Sequence, residues 1–257
     1  MTTWTRSVVV RRAGGPELTG PALRRLQVPS VRPLLYLDFG HPHRSPALPS
    51  FLSVGVEGAR LLGSHDREHA IAVELTVLGA YRLAGVPVND LAGQVVPLVD
   101  LWGSWVHRLE GELARLGDWP SRFALLDRAL AARAEVGPAP APEVLLAAWQ
   151  LVRPATARLS LAGMADRLGW SRQHLTAMVG RQVGCSPRRL SRVARFERAA
   201  SMLLVTDRPL AGVADACGYS DQAHLSRDFR DLAGCTPTRF LAERGPRVPA
   251  GRADPGA

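Results

Sequence analysis

Three residue types in this 257-residue chain have the chemistry and spacing to build a site: histidine, cysteine and arginine. His65 and His69 stand four apart, the spacing at which one metal ion reaches both side chains from a helix, and His41 and His43 flank a proline. Glu68 is not where a zinc-protease motif places its carboxylate, and no cysteine falls in residues 1–142 to complete a ligand set. Polar loop surface is the expectation for all four histidines, with no metal and no cofactor. The three cysteines, an odd number without paired spacing, exclude a disulfide framework and suit a reducing, cytoplasmic setting. Neither a Gly-rich phosphate loop nor a nucleophile elbow is present, so the chain is read as not an enzyme.

Arginine is the residue type in excess. All 32 basic residues are Arg, against 23 acidic ones, for a net charge of +9. The missing Lys is ascribed mostly to codon bias, but the distribution of charge carries more meaning. Residues 143–257 hold seventeen Arg against ten Asp and Glu, whereas residues 1–142 hold fifteen against thirteen. Guanidinium forks suit phosphates and the O6/N7 edge of guanine, so nucleic acid is the first partner to consider.

That excess coincides with an internal repeat. Met164-Ala-Asp-Arg-Leu-Gly-Trp-Ser-Arg-Gln-His-Leu175 is echoed by Val213-Ala-Asp-Ala-Cys-Gly-Tyr-Ser-Asp-Gln-Ala-His-Leu225, and Gly184-Cys-Ser-Pro187 by Gly234-Cys-Thr-Pro237. Gly169 and Gly218 are 49 apart and Gly184 and Gly234 are 50 apart, so one residue is gained between them. Each copy reads as helix, tight turn, helix. Ser160 caps a first helix over 161–168, Gly169 ends it, Ser171 caps the second and Gly184 ends that. In the second copy Gly218 is the terminator, Ser220 the expected cap and Gly234 the end. Ser186-Pro187 starts a long connecting helix over 188–204. Cys185 and Cys235 share one repeat position, which suggests packing rather than redox sensing. A helix pair joined by a short Gly-containing turn is the helix-turn-helix pattern, whose second helix can enter a major groove; a plain helical bundle is the alternative.

The second copy makes the resemblance specific. Ala214, Gly218-Tyr-Ser-Asp-Gln222, Leu225-Ser-Arg227, Phe229-Arg230, Gly234, Thr236-Pro237 and Phe240 resemble the DNA-binding domain of AraC/XylS-type transcription regulators, over about residues 143–244. The resemblance implies two modules on one long helix, with recognition helices in successive major grooves. It implies base contacts from Arg172, Gln173 and Thr176 in the first helix, and from Gln222, Ala223, His224, Ser226 and Arg227 in the second. Arg181, Arg188, Arg189, Arg230 and Arg239 are better placed for phosphates, with solvated surface charge as the alternative for any one of them. Val179 stands where Phe is common, and Ala177 and Gly180 replace positions that are often basic. The first module is therefore expected to bind more weakly, or to tolerate more sequence variation.

The elements carrying this are an α+β N-terminal domain, followed by an all-α domain of two helix-turn-helix modules joined by a long helix. The expected boundaries are a regulatory or dimerisation domain over 1–136, a Pro-rich linker over 137–142, the DNA-binding domain over 143–244 and a disordered tail over 245–257. Ile71, Val73, Leu75 and Val77 alternate as in a half-buried strand. Leu98, Leu101, Trp102, Trp105, Leu109, Leu113 and Leu116 recur as on one amphipathic helix ending at Gly117, and Pro120 opens another. Trp102 and Trp105 are expected in the core rather than in a ligand pocket. Residues 78–103 resemble the N-terminal domain of a poorly characterised branch of the same regulators, which brings no named effector. Partners implied by the resemblance are double-stranded DNA, RNA polymerase, a small-molecule effector and a second copy of the chain. No apolar stretch approaches the ~20 residues of a membrane span, so no membrane is expected and the setting is cytoplasmic and nucleoid-associated. A protein-interaction module and a DNA-tethered enzyme remain the alternatives.

Overall fold

In a computed structural model of the chain, the alternation of the N-terminal strands closes an antiparallel sheet. The structure describes residues 25–27, 30–39, 50–55, 60–62, 70–76, 78–153 and 160–243. Strand β1 (Arg25–Gln27) pairs with β4 (Arg60–Leu62). The main sheet has the order β5-β2-β3-β6, from β2 (Leu34–Asp38), β3 (Phe51–Ser53), β5 (Ala70–Glu74) and β6 (Val95–Pro97). Leu35 and Leu37 point from β2 into the core, while Tyr36, on the other face, stacks on Phe51 at 5.0 Å.

Helices cover the buried face: α1 (Gly79–Ala84), α2 (Leu98–Trp102), α3 (Trp105–Arg115) and α4 (Trp119–Val136). The single helix expected over 98–116 is broken at Gly103, whose φ of +58 and ψ of −152 interrupt the helical backbone. The break lets Trp102 bury, its Nε1–H donating to the Leu83 carbonyl at 2.9 Å, while Trp105 packs edge-on against it. Asp118, rather than Pro120, marks the start of α4, its carboxylate accepting from Ser121 N–H at 2.8 Å. Arg122 is buried, yet its Nε and Nη2 donate to the Leu113 and Leu116 carbonyls at the end of α3, and its guanidinium lies over Phe39 and Trp119. The buried charge is thus spent on carbonyls that a helix end leaves without partners.

The remainder is all helical. A short segment after α4 leads into α5 (Pro142–Val152), followed by α6 (Leu161–Leu168), α7 (Arg172–Val183), α8 (Pro187–Val205), α9 (Leu210–Ala216), α10 (Gln222–Ala233) and α11 (Pro237–Glu243). One core gathers α5, α6, α7 and the start of α8; a second gathers the rest of α8 with α9, α10 and α11 around Phe196, Phe229 and Phe240. Among the described residues, no helix is long and apolar enough to cross a membrane.

The N-terminal part packs directly on the first helical core. Leu78 belongs to that core, and the 3-10 turn Val88–Leu91 lies against α7. Gly184, at the end of α7, is wedged between Val54 and Val88: a Cβ there would lie 2.9 Å from Val88 Cγ1 and 3.0 Å from Val54 Cγ1. Gly234 ends α10 with the same left-handed backbone, but a Cβ there meets nothing within 4 Å. Gly234→Ala is therefore expected to cost about 1–2 kcal/mol, the left-handed strain alone. Gly184→Ala should cost distinctly more, read from urea-unfolding midpoints; equal losses would mean that this packing is not tight in solution.

Candidate nucleic-acid interface

Both copies build their second helix from the same local chemistry. Ser171 Oγ accepts from His174 N–H at 3.1 Å to cap α7, and Asp221 Oδ1 accepts from His224 N–H at 2.6 Å to cap α10. The cap of the second copy is thus Asp221 and not Ser220. With the caps aligned, every position from there to Pro187 and Pro237 is offset by 50, so the gained residue lies in the turn: Trp170 alone separates Gly169 from its cap, whereas Tyr219 and Ser220 separate Gly218 from Asp221. Ser160 and Ser186 cap α6 and α8 as their types predict.

The outer faces carry the polar residues. Arg172, Gln173, Gln222, Ala223 and Arg227 are exposed, while Thr176, His224 and Ser226 are half-buried. The Thr176 hydroxyl donates to the Arg172 carbonyl at 2.8 Å, which leaves its oxygen free to accept. Cap alignment sets Ala177 opposite Arg227 and Gly180 opposite Arg230, but Arg172 opposite Gln222 and Arg181 opposite Asp231, so each helix carries two guanidinium groups at different positions. Arg181, Arg188, Arg230 and Arg239 are exposed and Arg189 half-buried. Arg239 is held by Glu243 at 2.5 Å, and that contact keeps its guanidinium above its ordinary pKa.

Beneath α10 lies an ion cluster that sequence reasoning missed. Asp228 is 3% exposed. Its Oδ1 accepts from Arg192 Nε at 2.8 Å, and its Oδ2 lies 3.6 Å from Arg195 Nη2. Arg192 also donates to Asp231 at 2.6 Å, and the Arg195 guanidinium sits 4.7 Å from the centre of the Tyr219 ring. Burial, and then the nearby Asp228 charge, push the Tyr219 phenol well above its ordinary range. The available signal was Asp228 three residues after Leu225, on the inward face. The equivalent residue of α7 is Met178, packed against its own core without charge.

Elsewhere the chemistry is quiet. Leu175 and Val179 are fully buried, and burial pushes the Cys185 thiol up to about 11, so it is a thiol and not a reactive thiolate. Among the described residues no group of three or more His, Cys, Asp or Glu could hold a metal ion. His41, His43, His65 and His69 lie outside the described residues, as does the tail over 245–257.

Residues 164–243 match the family model described as a helix-turn-helix domain. Over 83 residues the chain is 29% identical to LumQ of Photobacterium leiognathi, described as a probable transcriptional regulator, covering 32% of this chain and 34% of that one. A helix-turn-helix-type transcriptional regulator of Staphylococcus aureus is 28% identical over 86 residues, 34% of this chain and 12% of that one. The chain thus spans about a third or less of the length of these curated relatives. Among solved structures, the C-terminal domain of the response regulator AraT from Geobacillus stearothermophilus is 25% identical, covers 46% of this chain and 98% of that one, and has a TM-score of 0.40. Residues 164–243 of this protein are thus a helix-turn-helix domain.

Removing the buried carboxylate leaves Arg195 without its counter-charge and Arg192 with Asp231 alone. Asp228→Ala is expected to cost about 3–5 kcal/mol in urea unfolding. A loss below 1 kcal/mol would show that the cluster does not hold α10 in place.

Proposed function

We propose that this protein is a sequence-specific DNA-binding transcription regulator that reads two successive major grooves with α7 and α10. One observation carries the proposal. Two capped helices, each with an exposed polar first turn, are bridged by α8, whose 19 residues span about 28 Å, close to one turn of duplex. Arg172, Gln173 and Thr176, with Gln222, Ala223, His224, Ser226 and Arg227, read base edges. Arg181, Arg188, Arg189, Arg230 and Arg239 hold phosphates. Arg227 and Arg230 stand where α7 has Ala177 and Gly180, so the two helices present their guanidinium groups to different parts of the groove.

The chain divides functionally at residues 137–142, with a regulatory part over 1–136 and the DNA-binding part over 143–244. The packing of Val54, Val88 and Leu78 on the first module gives an effector, or pairing with a second copy, a direct route to α7. Contact with RNA polymerase would follow from bound DNA.

Selection of bound fragments from genomic DNA, followed by titration at two salt concentrations, tests the proposal. A recurrent motif with halves about ten base pairs apart is the supporting outcome. Arg227→Ala should cost about 1–3 kcal/mol and relax one base position, whereas Arg230→Ala should weaken all sequences alike and lower the salt slope by about one. Binding that survives substitution of both Arg172 and Arg227 would point instead to a protein-interaction module.

A further inference from the structure

The residue gained in the second turn has a chemical consequence for the helix after it. Ser220 Oγ lies 3.1 Å from His224 Nδ1 and 3.3 Å from Asp221 Oδ2. A hydroxyl has one hydrogen and two lone pairs, and an ionised carboxylate only accepts. The His224 backbone N–H first, and then the Ser220 hydroxyl, hold Asp221 below the usual carboxylate range, so it is the acceptor here. The Ser220 hydrogen therefore goes to Asp221, and its oxygen must receive a hydrogen from Nδ1. That assigns neutral His224 the Nδ1–H form, with a bare lone pair on Nε2. Tyr219 sets the plane of the imidazole, meeting it edge-on at 5.0 Å and 86°. Among the described residues Nε2 has no partner.

The first module lacks this device. Its turn is one residue shorter, Ser171 is occupied in capping α7, and among the described contacts the ring of His174 has only Trp170 beside it, at 4.6 Å. The two histidines occupy the same helical position, but only the second is wired to a carboxylate.

We propose that Ser220 is a specificity-positioning residue, which fixes His224 as a hydrogen-bond acceptor so that α10 selects a base presenting an amino group in the major groove, adenine N6 or cytosine N4. This rests on the DNA-reading function proposed above. Guanine and thymine offer only acceptors at those edges, and an acceptor facing an acceptor is rejected.

Long-range proton–nitrogen NMR spectra of the full chain, at a pH that keeps imidazoles neutral, test the first half without any DNA. His224, assigned by its disappearance in His224→Gln, should show a protonated Nδ1 and an unprotonated Nε2. Ser220→Ala should return it to the ordinary mixture and Ser220→Thr should retain the wild-type pattern, while Asp221 still caps α10 in both. A wild-type ring carrying its hydrogen on Nε2 would overturn the proposal, whatever the protein binds. The second half is read from the selected motif. Adenine or cytosine should be favoured at one position, and Ser220→Ala should lose about two- to tenfold of that preference there with the other positions unchanged. Ser220→Thr should restore it. A relay present by NMR, with a motif indifferent to Ser220→Ala, overturns the reading of a base by His224. No motif from the wild-type chain sinks the DNA-reading function itself, while the NMR result still reports on the ring.

Discussion

A carboxylate taken out of water must be neutralised where it lies, and Asp228 is placed under the middle of α10. Its partners have to come from α8, and Arg192 and Arg195, three residues apart, approach its two oxygens from one face of that helix. An apolar contact of the same volume would hold two helices together as firmly. What the charges add is direction, since a guanidinium meets a carboxylate in few geometries. The angle of α10 on α8, the seat of Tyr219 beneath Arg195 and hence the plane of the His224 ring all follow from that cluster.

The two modules solve the same packing problem by different means. In the first, Met178 replaces the charge and Gln182 stands where the second has core Leu232. Gln182 is buried and accepts from the Ala141 N–H at 3.1 Å, tying α7 to the segment that precedes α5. Helix α7 is thus held by the segment before α5 and by Val54 and Val88 at its end, and α10 by α8. Ser30 adds a thread between these systems: its hydroxyl donates to Glu197 of α8, and Val31 packs against both helical cores. Burial raises the Glu197 carboxyl above its ordinary range, a cost that the Ser30 and Val31 donors offset in part.

Local chemistry made much of this readable from sequence. Serine before a helical run and glycine after it located the ends of α6 and α7 and the start of α8, because caps depend on neighbours two or three residues away. Alternation exposed β5 for the same reason. The cap of α10 was harder, since Ser220 and Asp221 are adjacent and both competent; the turn length decided it, and that is set by how Tyr219 docks. The break at Gly103 was hidden because apolar periodicity continues across it. Arg122 and Asp228 drew no reading from the sequence, since the carbonyls and guanidinium groups that satisfy them come from other helices. The place of Leu78 in the far core has no local signal at all.

The wedge of Gly184 between Val54 and Val88 bears on how such chains can be recombined. A reading head joined to its controller by a loose tether can be cut off and spliced to another controller with little loss. Here the end of α7 is shaped to Val54 and Val88, and Leu78 fills a slot in the core behind it. A chimera keeping only the helical part would carry an open apolar recess beside α7, and its new neighbour would need two valines and a leucine at matching positions. Inheritance of these helices is coupled to inheritance of the surface they pack on.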